Sequence, residues 1–125
     1  MMVFLRFLAL GLLLAGPIAA QSNVETEIGE IVSLRALDTI TGVTKDLELK
    51  VGDTLEYERL VIHLQECRYP IANQSADAFA YLVIRDVRES APRFEGWMIA
   101  SSPALSALDH PRYDVWLLSC RTSDG

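Results

Sequence analysis

The chain has 125 residues, 50% of them hydrophobic, with 11 basic and 17 acidic side chains and a net charge of −6. An acidic surface repels phosphate backbones and anionic lipid headgroups, which excludes nucleic acid and the membrane surface as partners. The length suits one domain with one core and is too short for two.

The N-terminal segment reads as a secretory signal peptide. Arg6 is the only charged side chain before Glu25, Phe7–Ala15 is a short apolar run, and Gly16-Pro17 precedes the small-residue end Ile18-Ala19-Ala20. Cleavage is expected after Ala20, and loss of Arg6 leaves the mature chain more acidic still. The alternative is an uncleaved anchor, but the apolar run is well short of the roughly 20 residues that span a bilayer. No cysteine follows the run, so a lipoprotein anchor is excluded. In an oxidising compartment the two cysteines, Cys67 and Cys120, are expected to pair. Closing that loop is worth about 4 kcal/mol in the loop-entropy account.

Gln21–Glu27 is polar and expected to be a flexible tail, ahead of a single β domain over residues 28–121 and a C-terminal tail at 122–125. Apolar residues then alternate with the period of half-buried strands. Ile28–Leu37 reads as a strand with Ile28, Val32, Leu34 and Ala36 on one face, and Asp38–Gly42 as a turn. Val43–Val51 sets Leu47, Leu49 and Val51 against Asp46, Glu48 and Lys50. Gly52-Asp53 is a turn and Thr54–Tyr57 a short strand. Along Leu60–Cys67 the residues Leu60, Ile62 and Leu64 share one face, yet Cys67 has the opposite parity. A bulge near Gln65-Glu66 would bring it back to the buried side. Tyr69–Asp77 reads as a polar loop. Ala78–Val87, apolar on both faces, reads as a central strand. Arg88–Arg93 is a loop and Phe94–Ala100 a strand. Ser102-Pro103 looks like a helix cap and first turn, predicting a short helix near 103–109 that ends at His110-Pro111. Tyr113–Cys120 is the last strand. Six to eight short, mainly antiparallel strands predict an all-β fold, a small sandwich or barrel.

The run Gly96–Cys120 (GWMIASSPALSALDHPRYDVWLLSC) is the most distinctive in the chain. It resembles the C-terminal signature of the domain of unknown function 2155 family, small exported proteins of alphaproteobacteria, at every position of the pattern G-W-M-x-A-S-S-P-x-L-x-A-x-x-H-P-x-Y-D-V-W and its following cysteine. Leu37-Asp38, Thr41-Gly42, Val51-Gly52 and Leu60–Cys67 extend the resemblance upstream. It implies a β-rich envelope protein with a paired cysteine in a bacterial periplasm, and no established activity or catalytic residue to carry over. A bacterial host also removes Asn73-Gln74-Ser75 as a glycosylation site.

Four chemistries compete with a structural reading of the remaining residues. Ser101, Ser102, His110 and Asp114 offer the groups of a serine hydrolase, but no G-x-S-x-G or S-x-x-K accompanies them. Capping by Ser102 and a dipole interaction for His110 explain both residues without catalysis. His63, Cys67, His110 and Cys120 could hold a metal, but their spacing departs from zinc patterns and the cysteines are expected to pair with each other. Glu56, Glu58, Asp86, Glu89 and Glu95 read as solvated carboxylates rather than a glycosidase pair. Trp97 and Trp116 are either core or a stacking platform for a glycan or small ligand. The expectation is therefore a non-enzymatic periplasmic protein without cofactor or metal, with an envelope protein as its partner. Its interaction surface is expected on Trp97, Ser101, Ser102, His110 and Arg112, beside the Tyr69–Asp77 loop.

Overall fold

The computed structural model describes Gly11 and residues 24–124. The expected signal peptide, save Gly11, and Gln21–Asn23 of the expected tail lie outside the described residues. Alternation of buried and exposed side chains runs through the strands β1 (Thr26–Ile28), β2 (Ile31–Asp38), β3 (Thr44–Lys50), β4 (Thr54–Tyr57), β5 (Leu60–Pro70), β6 (Phe79–Asp86), β7 (Phe94–Ile99) and β8 (Tyr113–Arg121). All pairings among them are antiparallel. One sheet has the order β1-β5-β6-β7, with β4 on the same edge of β5 as β1, and the other has the order β3-β2-β8. The two pack face to face as a sandwich and do not close into a barrel. Between them lie Val32, Leu34 and Ala36 of β2, Leu47 and Leu49 of β3, Leu60, Ile62 and Leu64 of β5, Leu82 and Ile84 of β6, and Val115 and Leu117 of β8.

The expected bulge is present. The β5–β6 register shifts between Leu64 and Glu66, which turns Cys67 and Tyr69 inward. Cys67 then meets Cys120 of β8 across the core, and their disulfide ties one sheet to the other with a Cα–Cα distance of 6.0 Å. Gly29 passes directly over this bond. A Cβ there would collide with Cys120 Sγ and lie 3.0 Å from Cys67 Sγ and 3.3 Å from the Arg121 carbonyl. The amide of Gly29 donates to the Cys67 carbonyl at 2.9 Å, so the chain cannot move aside without losing that bond. β6 is central in its sheet, as its two apolar faces require.

Four expectations are corrected. The helix near 103–109 does not form: Pro103–Ser106 is a turn, in which Leu105 N donates to the Ser102 carbonyl at 3.1 Å, and the chain is irregular to Arg112. A segment this short ahead of Pro111 gains too few helical bonds to offset nucleation, and burial of Leu108 and His110 dictates its path instead. Thr26 and Glu27, expected in the tail, belong to β1 and pair with Pro70 and Tyr69. The first expected strand is two, broken at Gly29-Glu30, which leaves Ile28 61% exposed. β5 continues through Pro70 because β1 supplies a partner that the polarity of the following loop does not reveal.

At the β2–β3 connection, Asp38 Oδ1 accepts the amides of Ile40 (3.0 Å) and Thr41 (3.4 Å). Gly42 closes the turn at a φ of 75°, a backbone region that side chains disfavour. No helix among the described residues is long and apolar enough to cross a membrane.

Candidate functional site

The signature His110-Pro111-Arg112-Tyr113 closes one end of the sandwich with a buried polar lock. His110 is buried, and its Nε2 lies 2.9 Å from Asp86 Oδ2 at the end of β6. Its Nδ1 accepts two backbone amides, from Arg112 at 3.0 Å and Tyr113 at 3.2 Å. The hydrogen-bond network therefore assigns the tautomer with the proton on Nε2, donated to Asp86. Asp86 Oδ1 accepts the Arg88 amide at 2.9 Å. The His110 bond, followed by that amide, holds the Asp86 carboxyl below the usual carboxylate range.

Arg112 binds within the smaller sheet, to the end of β2. Its Nε and terminal nitrogen make a forked pair with buried Asp38, at 2.9–3.3 Å. This pair is the main reason the Asp38 carboxyl is held low, with the Ile40 and Thr41 amides adding to it. Thr39 Oγ1 and the Thr39 amide both donate to the Arg112 carbonyl, at 2.6 Å and 2.9 Å. Tyr113 is the apolar centre of the lock. Arg112 and Arg59 stand 5.3 Å and 5.6 Å from its ring centroid, and the rings of His110 and Tyr57 lie 5.1 Å and 5.7 Å away.

Asp38 and Asp86 are expected to contribute to the acid limb of stability. Both are depressed in the folded chain, so their stabilising contribution is complete above the ordinary aspartate value of 3.8 and is lost as pH falls through the folded values. The thermal midpoint is expected to fall below about pH 4 as these two carboxylates protonate. Asp38→Asn should flatten that acid limb, and a profile with an unchanged limb would show that the pair does not govern it.

The two loops expected to carry binding are clasped together. Asp77 accepts the Ser101 amide at 2.9 Å on Oδ1 and the Ser101 hydroxyl at 2.7 Å on Oδ2. Ser101 is thus the anchor of the β7–β8 connection, and its hydroxyl meets a carboxylate rather than His110. Both ring nitrogens of His110 are occupied, by Asp86 and by backbone amides, so the ring is not available as a base to either serine. Cys67 and Cys120 are bonded to each other, while His63 lies on the sheet exterior with Nδ1 3.0 Å from Thr54 Oγ1. Of the five carboxylates considered above, only Asp86 is buried.

The expected interaction residues therefore separate. His110 is withdrawn from solvent and cannot form part of a contact surface. Arg112 is half-buried and committed to Asp38, and Ser102 is half-buried in the turn. Trp97 alone stands out from a sheet, 38% exposed on the exterior of the larger one. Its indole packs edge-on against Tyr81, with centroids 5.6 Å apart. Phe79 and Ile99 flank it on the same face, opposite each other in the β6–β7 register. With Val24, Thr26 and Arg68 these residues line a shallow, mostly apolar recess of about 330 Å³. Trp116 lies on the opposite exterior, half-buried beside Pro103–Leu108. The partners Asp38, Asp77 and Asp86 were not legible as such in the sequence, because they come from turns and strand ends 24 or more residues away from the groups they bind. The apolar character of both faces of Phe79–Ile84 did carry a signal for the exterior patch, since one of the two faces had to point away from the core.

These features define a disulfide-braced, two-sheet β-sandwich domain with a polar lock at one end. Residues 32–120 match the family model described as "Uncharacterized protein conserved in bacteria (DUF2155)", and the chain belongs to that family. It is similar to a protein of Rickettsia prowazekii (strain Madrid E), "Uncharacterized protein RP359", with 27% identity over 88 residues. That alignment covers 68% of this chain and 57% of the relative, so the chain spans little more than half of its length. No solved structure matches the chain.

Proposed function

We propose that the protein is exported to the periplasm and acts there as a non-enzymatic interaction protein, with the exterior of the larger sheet as its docking face. The observation that carries this reading is the group Trp97, Phe79 and Ile99, beside Val24, on a sheet face that no described segment of the chain covers. An aromatic anchor within an apolar patch, rimmed here by Arg68, Glu66 and Glu95, is the composition of a contact site. Export is supported by the leader pattern of residues 1–20 and by a disulfide that suits an oxidising compartment.

A photo-crosslinking amino acid at position 97 is expected to capture an envelope protein in cells, and the same group at Lys45 of β3 is not. Equal capture at both positions, or capture of cytoplasmic proteins at 97, would overturn the reading. A second reading, a glycan stacked on the indole, is favoured by Tyr81, whose ring packs edge-on against Trp97 and leaves the indole partly exposed. It predicts quenching or enhancement of Trp97 fluorescence by soluble peptidoglycan fragments, lost in Trp97→Ala.

A further inference from the structure

We infer that β7 is a self-pairing edge: two copies join antiparallel through Phe94–Ile99, about a two-fold axis at Trp97, and set their two indoles side by side. The other edges are each blunted against pairing. β3 carries the exposed charges Lys45, Asp46, Glu48 and Lys50. β1 and β4 have 3 and 4 residues. β8 is flanked along Asp114–Trp116 by the Pro103–Leu108 segment and along Ser119–Arg121 by Asn73–Ser75. β7 has 6 residues and a single charged side chain, Glu95.

The polarity of that edge follows from the ladder. Ala100 N donates to the Ala78 carbonyl at 2.9 Å, in phase with the pairing of Met98 to Ala80 and Gly96 to Leu82. Peptide groups alternate in direction along a strand, so those of Glu95, Trp97 and Ile99 point to the open side. Of these groups, among the described residues, only the Ile99 carbonyl meets a backbone group off the strand, the Ser102 amide at 3.2 Å.

A second copy fits this edge in one register. Residues directly opposite each other in an antiparallel pair share a face, so pairing about Trp97 sets Glu95 against Ile99 of the partner copy and Trp97 against Trp97. The two Glu95 carboxylates are thereby kept apart. On the core side Gly96 faces Met98 and Phe94 faces Ala100, a large residue against a small one each time. The Trp97 amide and carbonyl exchange reciprocal bonds across the axis, and Ile99 N reaches the Glu95 carbonyl. Each apolar recess runs up to the edge at Trp97, so in the dimer the two recesses meet and each gains the other copy's indole as a wall. This inference stands on the edge geometry and does not depend on the docking partner proposed above.

Sedimentation of the oxidised full chain over a concentration series tests it. The expected result is a reversible dimer, reduced to monomer by Glu95→Pro and by Trp97→Lys. Proline at position 95 removes an amide that points outward and spares every bond to β6, and lysine at 97 places like charges at the axis. Trp97→Cys is expected to form an intermolecular disulfide that Lys45→Cys does not, which reads the register even if either other variant folds poorly. A parent that stays monomeric throughout overturns the inference, and so does a dimer that survives both substitutions. A monomer that still captures an envelope protein from position 97 would overturn the self-pairing and leave the docking face standing.

Discussion

Replacing His110 with alanine is expected to destabilise the domain by about 3 kcal/mol or more, a large share of the ~5–15 kcal/mol that holds a domain of this kind folded. The ring contributes two effects that fail together. It packs at 5.1 Å against the buried Tyr113 ring, and Nδ1 is the acceptor for the amides of Arg112 and Tyr113. Alanine leaves both amides without a partner beside the space of the missing ring. It also removes the Nε2 donor from Asp86. Asp86→Asn is expected to cost less, because an amide of the same shape can still present its oxygen to the His110 N–H, although its NH2 group then faces the Arg88 amide and that one hydrogen bond is lost. Urea unfolding of the two variants checks the order. A His110→Ala variant within about 1 kcal/mol of the parent would show that the lock is replaceable, and that the signature histidine has another purpose.

Loss of the disulfide is the second large effect. Cys67→Ser and Cys120→Ser should each cost about 2–5 kcal/mol, by nearly the same amount, and the double variant should be no worse than either. The bond spans a sequence separation of 53 and joins the two sheets, so its removal frees the longest constraint on the unfolded chain. Additive losses would instead mean that each side chain matters separately by its packing. Gly29 supplies the independent check. Gly29→Ala drives a methyl group into Cys120 Sγ and is expected to destabilise the oxidised protein strongly. In the double-serine background the smaller, unbonded hydroxyls can turn aside, so the same change should cost distinctly less. Equal costs in both backgrounds would place the clash with the Arg121 carbonyl rather than with the bond.

The run from Gly96 to Cys120 carries the family resemblance, and in the fold most of it is spent on closure. Ser101 anchors to Asp77, His110 to Asp86, Arg112 to Asp38 and Cys120 to Cys67. Hydrolase geometry in sequence, a serine and a histidine a few residues apart, dissolves once each group is seen with its own partner. Trp97 and its neighbours on the exterior of the larger sheet, by contrast, are open to another molecule. That surface is composed of residues from β6 and β7 together with Val24, Thr26 and Arg68.

How much of this was legible in advance depends on the range of each interaction. Period-two alternation is a local property, and it located seven of the strands to within a few residues, including Thr54–Tyr57 to the residue. The parity conflict between Leu64 and Cys67 is likewise local, and it was enough to require the bulge between Leu64 and Glu66. Two cysteines permit only one intramolecular pairing, so the disulfide needed no fold to be named. Tertiary structure alone decided the rest. The helix near 103–109 had good local chemistry, Ser102 before Pro103, but a few helical bonds lost to the burial of Leu108 and His110. β1 and the extension of β5 exist only because each supplies the other's partner across more than 40 residues of chain. The exposure of Trp97, the burial of His110 and the open edge of β7 follow from which sheet face and which strand order the chain adopted. Those choices are made by the summed packing of the whole core, and no window of sequence contains that sum.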